Sequence, residues 1–327
     1  MAFRLTNRMQ WGFVSGRISV LENRFVSREF FLNLISQEKL ADLMPNLQET
    51  FLREFLAPGT AWADFSALVD KCFYDTVLSI RGDCPSVLPA NLFLLMGDYL
   101  NLKHVLAGKG IYPFMACYLA PETLAEISQG DLSGLPRTLW EAESGFSAET
   151  GADSKTIDII LDGAYLRHLL ALSDELGSEL VKTYIAERIR GAMVILFWRA
   201  LKQGQSLKRF CQHLLPLGDF TAAALELSAS ANPEVWPSLI GGEIGDLLHD
   251  ALNLPDDEQI SGFELMVSNL LARIAKEGKL QTAGPERVFA FLEGLLNEIY
   301  NLRLVVNGRL SGINPDVLRQ RLRECYA

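Results

Sequence analysis

The chain has 327 residues, 49% of them apolar and 21% charged, with 40 acids against 30 bases and a formal net charge of −10. That is the composition of a globular protein with room for a sizeable core, and it excludes a disordered chain. The acidic balance argues against nucleic acid as the main partner, since phosphate binding wants a basic face.

The N-terminal stretch MAFRLTNRMQW has charge but no apolar run of the kind a signal peptide needs. GRISVLENRFVSREFF follows, with Arg17 and Glu22 placed either to pair with each other or to face a partner. SQEK at Ser36–Lys39 formally matches S-x-x-K, but without partner motifs it reads as a solvated helix start. Breaks are expected at Ala57–Gly59, Gly82–Pro89, Gly130–Pro136, Gly151–Ser154, Asn232–Pro237, Gly241–Gly245 and Leu254–Asp257. Gly177–Ser178 separates two further helices, one ending near Leu176 and the next running to about Gly204. Within the latter, GAMVILFW at Gly191–Trp198 is the longest apolar run. A bilayer crossing needs about twenty residues, so a soluble chain with no membrane span is expected. PDDEQ at Pro255–Gln259 places three acids together, but they do not recur one helical turn along, so a solvated turn is expected there.

The last long helix is the best defined. From Gly284 the chain reads GPERVFAFLEGLLNEIYNLRLVVNG: Pro285 suits the first turn, Glu286 complements the N-terminal dipole, and Gly308 suits a left-handed C-cap. Val288, Leu292, Leu295, Ile299, Leu302 and Val306 form an apolar stripe on a helix of roughly twenty-two residues, about 33 Å long. No alternating run demands a sheet, so the class expected is all-α.

The chain also repeats itself. DYLNLKHVLAGKGIY (Asp98–Tyr112) aligns without a gap on EIYNLRLVVNGRLSG (Glu298–Gly312). Asp98 faces Glu298, Asn101 faces Asn301, Lys103 faces Arg303, Gly108 faces Gly308, and Lys109 faces Arg309. A degenerate middle copy appears at Ile189–Gly204 if Met193 takes the place of Asn101, and the same offset puts Asp162 on Asp70 and Tyr165 on Phe73. One chain-wide domain of three diverged helical repeats is expected, roughly 1–112, 113–225 and 226–327.

Constellations that carry chemistry are missing from the sequence. There is no G-x-x-x-x-G-K-[ST], G-x-G-x-x-G, H-E-x-x-H or G-x-S-x-G, and the four histidines are far apart. The five cysteines are scattered and never C-x-x-C, the pattern of reduced thiols. No catalytic residue, cofactor or metal is expected. Lys103, Lys109, Arg303 and Arg309 fall at helix C-termini, as capping charges or as partner contacts. Asn101 and Asn301 are expected to satisfy backbone groups, and Tyr165 and Phe73 to be packing anchors. Trp198 and Trp236 are core or interface aromatics.

The C-terminal stretch resembles the end of the C-type central-stalk component of bacterial and archaeal V/A-type rotary ATPases, whose eukaryotic counterpart is the d-type component. The pattern of a Gly, an acid and an apolar helix, then E-x-x-N-[IL]-[RK], G-[RK]-L-x-G and L-R-E-x-Y, falls on residues from Gly284 and Glu286 through Glu298, Asn301, Arg303, Gly308 and Arg309 to Leu322, Arg323, Glu324 and Tyr326. Arg17, Leu21, Glu22 and Ser27 are in register with the N-terminal pattern, and Asp162, Tyr165 and Leu217–Gly218 with the central one. Phe13 stands for a Tyr, Ser19 for a base, and Met193 for an Asn. The resemblance implies three helical bundles in a pseudo-threefold, funnel-shaped arrangement and no active site. It implies a socket on the cytoplasmic face of the membrane that couples D- and F-type axle subunits to the proteolipid ring. A helical adaptor with unrelated partners is the alternative, and a helical enzyme a third.

Overall fold

In the computed structural model, residues 8–37, 39, 43–56, 61–106, 121–129 and 154–327 are described. The expected breaks at Ala57–Gly59 and Gly130–Pro136, and the segment before Ser154, lie outside them, as do Gly108, Lys109 and Cys117. The fold is all-α, and no strand occurs among the described residues. In chain order the helices are α1 (Gly12–Leu21), α2 (Arg28–Ser36), α3 (Leu43–Leu47), α4 (Phe65–Asp83), α5 (Leu88–Leu106), α6 (Pro121–Ser128), α7 (Ser154–Leu176) and α8 (Glu179–Lys202). They continue with α9 (Leu207–Leu214), α10 (Thr221–Ala229), α11 (Trp236–Ile240), α12 (Gly242–Leu252), α13 (Gln259–Lys276), α14 (Pro285–Leu310) and α15 (Pro315–Arg321). Among the described residues no helix is long and apolar enough to cross a membrane.

The chain divides into two compact units that are discontinuous in sequence. The first comprises Met1–Ala90, Leu176–Tyr184 and Ser268–Ala327; the second comprises Asn91–Glu175 and Ile185–Val267. In the first, α14 is the central element and packs on α1, α2, α4 and α15. All six residues of its expected stripe are buried, and so are Phe289, Phe291 and Val305. An apolar side chain of this size contributes about 1.5–3 kcal/mol when fully buried, so α14 is held from several sides and not along one seam. Phe25, Phe51, Phe291 and Tyr326 pack edge-on or tilted around it, with Phe25 and Tyr326 ring centroids 4.3 Å apart.

The helix ends differently from the sequence reading. It runs for 26 residues, and Gly308 lies inside it in helical conformation. The left-handed residue is Gly312, with φ +68. Ile313 N–H donates to the Gly308 carbonyl and Gly312 N–H to that of Arg309, which is the Schellman closure with Gly312 at C′. Gly308 is needed for another reason: a Cβ there would sit 2.4 Å from Leu318 Cδ2. It lets α15 lie against α14.

Helices α7 and α8 lie mostly in the second unit; α7 ends at Leu176 and α8 runs to Lys202, each closed by a left-handed glycine, Gly177 and Gly204. α9 packs on α10, α10 on α11, and α11 on α12. A Cβ on Gly163 would stand 2.2 Å from the Leu214 carbonyl oxygen, so α7 meets the end of α9 backbone to backbone. Trp198, Trp236, Phe73 and Tyr165 are all buried, which settles both tryptophans as core. Asp256, Asp257 and Glu258 form an exposed turn ahead of α13. Ser36 closes α2 instead of starting a helix, its hydroxyl donating to the Leu32 carbonyl.

Candidate functional site

The polar positions that the sequence singles out fall into two groups, one around α14 and one of ion pairs between long helices. Around α14 the segment at Ser19–Glu22 meets the C-terminal segment that carries Tyr326. Arg287, in the first turns of α14, donates to Glu22, to Ser19 Oγ at 3.2 Å and to the Lys279 carbonyl. Glu22 also accepts from the Tyr326 hydroxyl. The Tyr326 ring fills the space a side chain at Gly294 would take, and the Lys279 ammonium lies 4.5 Å above its centroid. Burial, then the Glu22 hydrogen bond and charge, hold the Tyr326 phenol well above its usual range, so it stays neutral and donates to Glu22.

The tail that carries Tyr326 is held by its backbone. Asn301 accepts from Arg323 N–H at 2.9 Å and donates to the Arg323 carbonyl at 3.1 Å. Asn269 accepts from Glu324 N–H at 2.9 Å, Lys279 donates to the Tyr326 carbonyl, and Arg28 donates to that of Leu322. A side-chain amide that satisfies both backbone polar groups of one half-buried residue does the work of a strand partner. One turn before Asn301, Glu298 is buried and accepts from Val26 N–H at 3.0 Å. Burial pushes its carboxyl up to about 8, with the amides of Val26 and Phe51 pulling the other way. Glu298 therefore keeps its proton at neutral pH.

The second group is a contact that recurs. Lys103 in α5 donates to Asp162 in α7 at 2.7 Å, with Asp158 3.9 Å away. Arg303 in α14 pairs with Asp70 in α4. Arg199 in α8 pairs with Glu264 in α13. Asp70 and Asp162 are separated by the repeat offset, and Glu264 follows Asp162 by 102 residues. Met193 and Asn301 are 108 apart, the excess of six matching the longer connector 277–284 against Gly177–Ser178. The three acids thus match in the register expected from the sequence repeat. In the middle copy the position of Lys103 is Ile195, and the cation stands one turn further on, at Arg199. Burial raises the Asp162 carboxyl, Lys103 lowers it and Asp158 raises it.

These pairs are partly exposed, so each stabilises little. In a double-mutant cycle of Asp70→Ala and Arg303→Ala the coupling expected is about 0.5 kcal/mol, falling toward zero in about 1 M salt. A coupling several times larger and insensitive to salt would contradict the reading of a solvated pair.

Of the residues proposed from sequence to face partners, every described one has an internal contact. Arg17 reaches Asp83 and both Ser79 oxygens, and Arg309 donates to the Gln37 carbonyl. Arg17 and Glu22 do not pair with each other. Lys109 and Gly108 lie outside the described residues. Asp98, Asn101, Glu298 and Asn301 are all buried. Tyr165 accepts from Arg188 at 2.8 Å and packs edge-on against Tyr99, 5.5 Å away. Tyr99 also lies 3.4 Å from Nδ1 of His168, whose burial lowers it to about 4, which makes it a neutral core imidazole. Sequence reasoning missed Arg287, Arg199 and the acid of each pair as a partner; only the repeat register pointed toward the acids. Among the described residues no group of His, Cys, Asp and Glu is arranged to hold a metal ion. The arrangement offers charge pairing and rigid packing.

The family model described as ATP synthase (C/AC39) subunit matches residues 14–321. No curated protein matches the chain.

Proposed function

The chain belongs to the ATP synthase (C/AC39) subunit family, and from that premise we propose that it is a non-catalytic central-stalk component of a V/A-type rotary ATPase. In this reading it is the socket that seats the D- and F-type axle subunits on the membrane proteolipid ring, on the cytoplasmic face. The family match over nearly the whole chain carries the proposal. The packing supports it: a part that transmits torque must not yield, and α14 is buried on several sides, with Glu22 and the segment at Arg323 fastened to it. The recurring acid–base contact supports three diverged repeats. The internal partners of Arg17, Lys103, Arg303 and Arg309 support bracing as their role, with their exposed portions free to add polar contacts at a joint.

Native mass spectrometry of the chain mixed with the axle subunits tests this. A one-to-one complex that weakens between low and moderate salt is expected. A folded chain that binds neither the axle subunits nor ring-bearing membranes would sink the socket and favour a helical adaptor with other partners.

A further inference from the structure

At Gly163 and the Leu214 carbonyl, α7 and the end of α9 meet backbone to backbone. Ahead of that point the two helices part, and the fork holds a cavity of about 270 Å³ that belongs wholly to the second unit. Thr156 and Ile159, one turn apart on α7, form one wall. Ser206, the N-cap of α9, forms the other with Arg209, Phe210 and His213, at the spacing of one helix face. Gln205 completes the lining, and the turn that ends α8 fixes it: its N–H donates to the Ala200 carbonyl at 2.9 Å.

The chemistry of this lining is one-sided. In a chain with ten more acids than bases, none of the described residues around the cavity is acidic. Gln205 gives one amide hydrogen to Gln203 Oε1 at 2.8 Å and keeps the other. Ser206 Oγ accepts from Arg209 N–H at 3.5 Å, which leaves its own proton to donate. The guanidinium itself is unclaimed. Among the described residues the Arg209 side chain has no ion-pair or hydrogen-bond partner, and neither have the exposed Lys202 and Lys208. Arg17, Arg24, Arg199, Arg287 and Arg303 each face a carboxylate, so the fold neutralises its arginines elsewhere and not here.

An uncompensated guanidinium beside further donors selects an anion, and its planar fork matches two oxygens of a phosphate. Volume sets the size of the ligand. The cavity far exceeds the ~30 Å³ share of one water and falls just under the range of about 300–1,000 Å³ usual for ligand sites. A bare phosphate would leave most of it empty, and Phe210 and Ile159 supply an apolar surface for an organic portion.

We propose that the fork between α7 and α9 binds a small phosphate monoester. Arg209 takes two phosphate oxygens, Ser206 and Gln205 donate to the third, and the organic part lies against Phe210 and Ile159. The site is independent of the assembly that the chain joins.

The test titrates the full-length chain, at constant ionic strength, with glycerol 3-phosphate, inorganic phosphate, glycerate, and phosphatidylcholine vesicles with and without phosphatidic acid. Calorimetry is expected to show one-to-one binding of glycerol 3-phosphate with a Kd between about 10 μM and 1 mM. Inorganic phosphate, which lacks the organic part, should bind several times more weakly. Arg209→Gln changes an exposed side chain, so it should keep its thermal midpoint while weakening the ester about tenfold or more. Arg209→Lys keeps the charge but not the fork and should fall between the two. Arg53→Gln removes an exposed charge in the first unit and should change nothing. Binding to phosphatidic acid vesicles alone, with the same dependence on Arg209, would identify the monoester as a lipid headgroup and uphold the site. The proposal is overturned if neither glycerol 3-phosphate nor those vesicles bind, or if Arg209→Gln binds like wild type. It is overturned equally if Arg53→Gln loses as much as Arg209→Gln, or if glycerate binds as tightly as the ester.

Discussion

Gly294→Ala is expected to destabilise the protein by about 3 kcal/mol, at the upper end of what overpacking costs. The reason is the shape of what a methyl group would meet. Tyr326 Cδ2, Cγ and Cβ would stand 2.2, 2.6 and 2.9 Å from it. A ring at that distance cannot bend aside as the end of a Leu or Lys would. It is fixed by its hydroxyl on Glu22, by the tilted stack on Phe25 and by the Lys279 ammonium over its face. Relief requires the tail from Leu322 onward to move, and the Asn301 amide resists that by holding both polar groups of Arg323. Tyr326→Ala alone should cost about 3–5 kcal/mol through lost burial. The double variant should cost far less than the two added together, because the clash vanishes with the ring. Denaturant midpoints and the rate of proteolysis of the tail measure this. Additive losses would show that Gly294 serves something other than the tyrosine.

That pocket shows how far the sequence can be read. The apolar stripe of α14 is legible because its period is local, and all six of its residues are buried. The end of the helix is not, because Gly308 and Gly312 both suit a left-handed cap by local preference. The cap falls on Gly312, and Gly308 instead makes room for Leu318, whose methyl occupies the space beside it. The charged positions show the same limit. Arg303 and Lys103 look like capping bases because helix-end chemistry is visible in a few residues. Their partners, Asp70 and Asp162, stand on other helices, α4 and α7. Arg17 and Glu22 are five residues apart, and each is claimed by a residue far along the chain, Asp83 and Arg287. Register between repeats is the one sequence signal that reaches that distance, and it is blurred where the cation has shifted a turn to Arg199.

Glu298→Gln is expected to raise stability at pH 8 by several degrees in Tm and to change little near pH 4.5. In the folded chain burial holds this carboxyl at about 8, against an ordinary 4.5. Between those values the folded state keeps a proton that the unfolded state has released. Stability therefore falls as pH rises through the window, by up to about 1.4 kcal/mol per pH unit, and the loss is complete above pH 8. Glutamine keeps an acceptor for Val26 N–H and never ionises, so the variant lacks that slope. His168 works in the opposite sense. Its folded value of about 4, against 6.5, makes stability rise with pH up to about 6.5 and then level off. Between pH 6.5 and 8 the wild-type slope is thus free of His168, and the difference between wild type and variant isolates Glu298. Thermal midpoints of both proteins from pH 4.5 to 8.5 give that difference. If Glu298→Gln instead lowers stability at pH 8, the carboxylate is ionised in the fold and must be bound by more than the two amides. The contact between α14 and the segment around Val26 would then be electrostatic, and the rigidity ascribed to α14 would depend on salt.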